Sequence, residues 1–191
     1  MTVEATAGRV TRTGAHWGVF LAIPIVVVIL DQLTKAWLVA NVARGEVLEV
    51  LGETVRLVYH QNSGALFGLF RDQAIVFGVL SMIVIGLIVA YHARSGRSRY
   101  MSIALGLLLG GAIGNLIDRL RLGYVVDFVD IGIGDLRFYT FNVADSAISA
   151  AIVLLVAIAL LPGLARFVDE APATPAESRD QPPTATGTSS G

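Results

Sequence analysis

There is no cysteine in the 191 residues, so the chain can form no disulfide, bind no metal through a thiolate and use no cysteine nucleophile. Histidine is almost as scarce. His16, His60 and His92 are scattered and no H-E-x-x-H occurs, which argues against a zinc peptidase; neither a metal nor a cofactor is expected. A serine mechanism has little support, because Ser63 has His60 close in sequence but the segment lacks a G-x-S-x-G elbow. Charge is sparse as well: 15% of residues are charged against 54% hydrophobic, with a formal net charge of -1. That balance says little about partners, and no nucleic-acid partner is expected. With a mean hydropathy of +0.69, the chain is too apolar for an ordinary soluble domain.

What is there is a set of apolar runs. Residues 17–39, 73–91, 101–117 or slightly beyond, and 141–161 are each long enough to cross a hydrocarbon core of about 30 Å. The expected fold class is an α-helical integral membrane protein of four transmembrane helices with a small extracytoplasmic β-rich region and a short interfacial helix. Arg9 and Arg12 precede the first run, but it is longer than a signal-peptide h-region and no clear A-x-A site follows, so it reads as a retained anchor. Arg94, Arg97 and Arg99 crowd the short connection between spans two and three, which puts that connection and both termini in the cytoplasm. The opposite connections also carry arginines, but interleaved with acids. Residues 1–16 then form a cytoplasmic lead, 17–163 the membrane domain, and 164–191 a cytoplasmic tail. From about residue 171 the tail is rich in Pro, Thr, Ala and Ser and is expected to be disordered.

Between spans one and two, Val47 to Leu51 and Thr54 to His60 are rich in β-formers and meet at Gly52 and Glu53, which predicts a hairpin. Gly64 to Phe70 is apolar but too short to span, and reads as the piece lying at the interface. Tyr124 to Ile131 predicts a further strand.

The acids point toward function. Asp118 and Asp145 lie inside strongly apolar segments, with Asp127 on the stretch between them. An ionised side chain at membrane depth costs roughly 2.5 kcal/mol even on a lenient scale, so such residues mark functional sites by default. At about 1.5 Å per residue, Asp31 lies about 21 Å along span one and Asp118 about 25 Å along span three; Asp145 begins span four, so all three gather toward the outer boundary. Asp31 and Lys35 are an i, i+4 pair suited to support the site. Asn115 and Arg119 share one helix face, and Asp118 beside Arg119 reads as a paired, ionised anchor. Gly106, Gly110 and Gly114 recur every fourth residue and suit close helix packing. Two acids brought together at a wet boundary cannot both ionise easily, so one can take a proton from water while the other polarises a carbonyl. On these grounds alone Asp118, Asp130 and Asp135 remain in contention, the last two as solvated loop acids.

Five blocks then occur in order: Asp31-Gln32-Leu33-Thr34-Lys35, Asn62-Ser63-Gly64-Ala65-Leu66-Phe67-Gly68, Gly110 to Arg119 (GGAIGNLIDR), Val126-Asp127-Phe128, and Phe141-Asn142-Val143-Ala144-Asp145-Ser146. Together, over residues 17 to about 163, they resemble the lipoprotein signal peptidase (signal peptidase II) family. The Asn62 block departs slightly, with Ser-Gly-Ala-Leu where the family often has Thr-Gly-Ala-Ala. The resemblance implies an aspartic endopeptidase of the bacterial cytoplasmic membrane that cuts diacylglyceryl-modified prolipoproteins just before the lipidated cysteine. It places the catalytic pair on Asp127 and Asp145, and substrate-binding or supporting roles on Asn62, Gly64, Asn115, Asp118, Arg119, Asn142, Asp31 and Lys35. It also implies membrane lipids as partners and inhibition by the cyclic peptide globomycin.

Two other classes compete. A small four-span transporter would use membrane acids to bind protons or cations, but its site is expected near the midplane. A noncatalytic assembly factor would use the polar and glycine contacts only to hold helices together, and leaves Asp127 without a task.

Overall fold

The four apolar runs form helices in the computed structural model, which describes residues 16–64, 74–95 and 98–161. These are α1 (Trp17–Asn41), α2 (Ala74–Ser95), α3 (Arg99–Leu122) and α4 (Val143–Leu160). By length and hydropathy all four can cross a membrane. Satisfying every backbone group within the segment is what makes a helix stable in hydrocarbon. Leu21, Ile25, Ile29 and Leu33 of α1 and Ile75, Ile83 and Leu87 of α2 point outward, as lipid-facing side chains do.

α3 is the central helix. It packs against all three others, and half of its apolar window is buried, against 17–22% for its neighbours. The spaced glycines explain the closeness. A Cβ on Gly110 would stand 2.7 Å from Val27 Cβ and 2.9 Å from Pro24 Cα, and one on Gly106 would stand 3.1 Å from Ile23 Cβ, so the stripe is where α1 lies. At the other end of the bundle His92 ties three helices together: its ring stacks on Phe20 at 3.8 Å, Trp17 meets its edge, and Nε2 lies 3.0 Å from Ser102 Oγ.

The helix boundaries follow from their caps. α3 runs past Ile117 to Leu122 because Gly123 adopts the left-handed conformation (φ 77°) and returns its N–H to the Arg119 carbonyl. α4 begins at Val143 because Asn142, in extended backbone, caps it.

A four-stranded antiparallel sheet, in the order β1 (Val47–Leu51), β2 (Val55–Asn62), β3 (Val125–Ile133), β4 (Leu136–Arg137), sits where α1 and α3 end and α2 and α4 begin. The expected hairpin and the expected third strand are both present. Alternation along β3 turns Val126 and Phe128 toward Leu38 and Val42, while Val125 and Asp127 line the cavity on the other face. The expected interfacial helix lies outside the described residues apart from Gly64, as do residues 1–15 and 162–191.

One expectation is corrected. Asp130 is not a solvated loop acid: it sits buried on β3, where Arg56 and Arg137 both bond its carboxylate. Burial would push its carboxyl upward, but the hydrogen bonds from Arg137 and Arg56 outweigh it and hold it below the usual range. Asp130 is therefore the clamp that joins β2, β3 and β4.

Candidate active site

A buried ammonium anchors the polar end of the bundle. Lys35 Nζ lies 2.8 Å from Asp31 Oδ2, 2.8 Å from Asp118 Oδ2 and 3.3 Å from Asn115 Oδ1, so each of its three protons has an acceptor. The expected Asp31–Lys35 pair is present. Asp118 differs from expectation in its partner, which is Lys35 from another helix and not its neighbour Arg119. Adjacent residues on a helix point in different directions, and an inward Asp118 leaves Arg119 turned toward the cavity.

The free lone pairs of these two acids fix the scaffold. Asp31 Oδ1 accepts the Ala144 N–H at 3.0 Å, and Asp118 Oδ2 accepts the Val126 N–H at 3.0 Å. One bond sets the start of α4 and the other the start of β3, and those are the two elements that carry Asp145 and Asp127. Gln32 Nε2, which sequence reasoning did not single out, bonds Asp118 Oδ1 at 3.0 Å. Gly114 also has a task beyond helix packing, since a Cβ there would stand 2.8 Å from Asp31 Oδ2.

Asn142 links the two candidate acids. Its side-chain Oδ1 accepts the Asp145 N–H at 2.9 Å and its own N–H donates to Asp145 Oδ2 at 3.3 Å, a reciprocal capping box at the start of α4. Its Nδ2 donates to Asp127 Oδ1 at 2.7 Å and to Asn115 Oδ1 at 3.1 Å. Asn115 Nδ2 in turn donates to Asp145 Oδ1 at 2.8 Å. On the far side, Asn62 Nδ2 donates to Asp127 Oδ2 at 3.0 Å, and its Oδ1 accepts the Gly64 N–H at 3.1 Å.

Both carboxyls line one cavity of about 370 Å³, together with Asn62, Gly64, Asn115, Arg119 and the apolar Phe77, Leu80, Val84, Leu108 and Ile148. Arg119 sits over the Phe77 ring at 5.7 Å and donates to the Asn115 carbonyl. Burial, and then the nearness of Asp145, push the Asp127 carboxyl up to about 7, against the pull of its bonds from Asn62 and Asn142. Asp127 is thus poised to exchange a proton near neutrality. Of the expected site residues, Asp127, Asp145, Asn62, Gly64, Asn115 and Arg119 meet at the cavity. Asn142 lies directly behind the two acids, and Asp31, Lys35 and Asp118 form the support beneath.

Tyr139 is a cavity residue beside Asp127 that sequence reasoning missed. Its hydroxyl donates to Asp127 Oδ2 at 3.3 Å and accepts from Asn62 Nδ2. It lies three residues before Asn142, on the connection that delivers α4, and nothing in that spacing marks its hydroxyl for Asp127.

Four membrane-length helices with two acids lining one cavity at one end define a multi-pass membrane enzyme. Comparison with known proteins makes this specific: the model of the family described as signal peptidase (SPase) II matches residues 23–161. The chain belongs to the signal peptidase II family. It is 41% identical over 147 residues to the lipoprotein signal peptidase of Syntrophomonas wolfei, covering 77% of this chain and 93% of that one. It is 44% identical over 133 residues to that of Streptococcus pyogenes, covering 69% and 86%. A solved structure of a bacterial membrane enzyme superposes with a TM-score of 0.72 at 30% identity, over 85% of this chain and 97% of the other. A second such structure gives 0.70 at 33%, over 78% and 96%.

Proposed function

We propose that this chain is an aspartic endopeptidase that removes the signal peptide from diacylglyceryl-modified prolipoproteins, cutting before the lipidated cysteine. The observation that carries the reading is the joining of a buried carboxyl, Asp127, to a half-buried one, Asp145, through Asn142 at the wall of one cavity. Membership in the signal peptidase II family supports it.

The two acids divide the work by environment. Asp145 is the third residue of α4, where the helix N-terminus favours negative charge, and serves as the base. Asp127, held near 7, serves as the acid. Water attacks the carbonyl carbon before the cysteine as Asp145 takes its proton and Asp127 gives one to the carbonyl oxygen. The tetrahedral intermediate returns that oxygen's proton to Asp127 as the C–N bond breaks, and Asp145 passes its proton to the leaving amine. Arg119 and Asn62, facing the cavity, bind the substrate backbone, and Asn142 and Asn115 keep the carboxyls aligned.

In this reading the arginines flanking the loop between α2 and α3 keep both termini in the cytoplasm, and the site faces the outer leaflet. The substrate's two acyl chains stay in hydrocarbon at about 0.8 kcal/mol per methylene, which fixes the height of the scissile bond and reduces the search to lateral encounter. Globomycin would occupy the same cavity. A transporter reading finds no comparable support, since the buried acids and Lys35 gather at one end of the bundle.

Purified protein is tested on one precursor in three forms: lipid-modified, unmodified, and with its cysteine replaced by serine. Cleavage of the first alone is expected. Comparable cleavage of all three would overturn the lipid-positioned mechanism.

A further inference from the structure

The polar triangle of Asn62, Tyr139 and Asp127 contains a hydroxyl that no part of the mechanism above uses. Asn62 Nδ2 donates both to Asp127 Oδ2, at 3.0 Å, and to the Tyr139 hydroxyl, which itself donates to the same Asp127 oxygen at 3.3 Å. A hydroxyl that accepts one hydrogen bond becomes a stronger donor in the next, so Asn62 reinforces the bond from Tyr139 to Asp127. The ring is placed as specifically as the hydroxyl. Tyr139, Asp145 and Ile148 line the 370 Å³ cavity on one side and a second one of about 500 Å³ on the other. This second cavity runs along α4 past Phe138, Phe141 and Ile152. Tyr139 is therefore part of the wall between them.

We infer that Tyr139 is a positioning residue for the reaction, whose hydroxyl orients Asp127 Oδ2 and sets the pH at which Asp127 loses its proton. The inference rests on the reading of Asp127 as the acid of the pair. Its direction follows from the donor geometry: a neutral hydroxyl that donates to a carboxylate favours the ionised form, so its loss leaves Asp127 protonated to higher pH. Tyr139 itself stays a neutral phenol, because burial first, and then Asp127 and Asp145, raise its own ionisation far above the working range. It cannot act as a base. Neither its aromatic neighbours nor its spacing marks it for this role; only the fold brings the hydroxyl to Asp127.

The test is the pH profile of kcat/KM on a lipid-modified precursor for the wild type, for Tyr139→Phe, and for a chain with 3,5-difluorotyrosine in place of Tyr139. Asp127→Asn is assayed beside them. Tyr139→Phe should remain active with the alkaline limb moved up by about 1 pH unit, the size expected from losing one hydrogen bond to a charged group. The fluorinated phenol, a stronger donor, should move the limb down. If Tyr139→Phe does not fold, the downward shift alone decides the matter. Unmoved limbs in the folded variants, with Asp127→Asn inactive, would overturn the role of Tyr139 while leaving the pair of acids intact. A folded Tyr139→Phe with no turnover at any pH would also overturn it, in favour of a direct part in the chemistry. An active Asp127→Asn would instead overturn the reading of the pair itself.

Discussion

At the scale of single residues, the site depends on buried polar groups whose bonds are nearly all made. Lys35 is the extreme case. Replacing it with Met would leave the Asp31 and Asp118 carboxylates buried and facing each other, a change expected to cost about 3–5 kcal/mol and to show as a large fall in Tm or in the yield of folded protein. Wild-type stability in Lys35→Met would refute the support role. Asp127 makes the opposite prediction, because its folded value of about 7 lies above the unfolded 3.8. Between those values the folded protein holds a proton that the unfolded chain has lost, so stability falls as pH rises from about 4 to about 7. Asp127→Asn removes this titration; its Tm relative to wild type should increase across that window, and a pH-independent difference would contradict the account. Asp130→Asn should lower stability by about 2 kcal/mol through its lost arginine bonds yet retain turnover, because it lies away from the cavity. The sequence made Asp31, Lys35 and the five polar blocks visible because acids inside apolar runs are costly and therefore few. It could not pair them. Asp118 with Lys35, Asp130 with Arg56, and Tyr139 with Asp127 are long-range contacts that no local spacing encodes.

At the scale of elements, α3 sets the geometry because its glycines let α1 and α4 come close enough for Asp31 to reach the first turn of α4. A single methyl is enough to test this. Gly110→Ala meets Val27 Cβ at 2.7 Å and the Pro24 backbone at 2.9 Å, whereas at Gly86 of α2 nothing lies within 4 Å. Gly110→Ala should destabilise by about 1–3 kcal/mol through overpacking and reduce activity, while Gly86→Ala should leave Tm unchanged or slightly higher. Equal Tm values for the two would show that the stripe does not hold α1. The helices were legible because about 20 apolar residues in a row have few alternatives, and the hairpin because β-formers flank Gly52 and Glu53. Helix ends were less so. Gly123 and Asn142 moved two of them, through cap bonds that composition does not reveal.

At the scale of the whole molecule, four helices and a sheet serve to bring two acids from different elements to one cavity at one end of the bundle. The Pro-, Thr- and Ala-rich stretch 171–191 has too few large apolar residues to join that scaffold, so its removal is expected to leave activity in membranes nearly unchanged. A large loss of cleavage at normal expression would contradict this. The pair of acids is the central claim, and its most direct measurement is turnover of a lipid-modified precursor by purified Asp127→Asn and Asp145→Asn, each first shown to be folded by its thermal transition. Asn keeps the shape of each side chain but can neither take nor give the proton, so turnover should fall about 10³-fold or more in each, with no sensitivity to metal chelators in the wild type. Substantial cleavage by either folded variant would contradict the account.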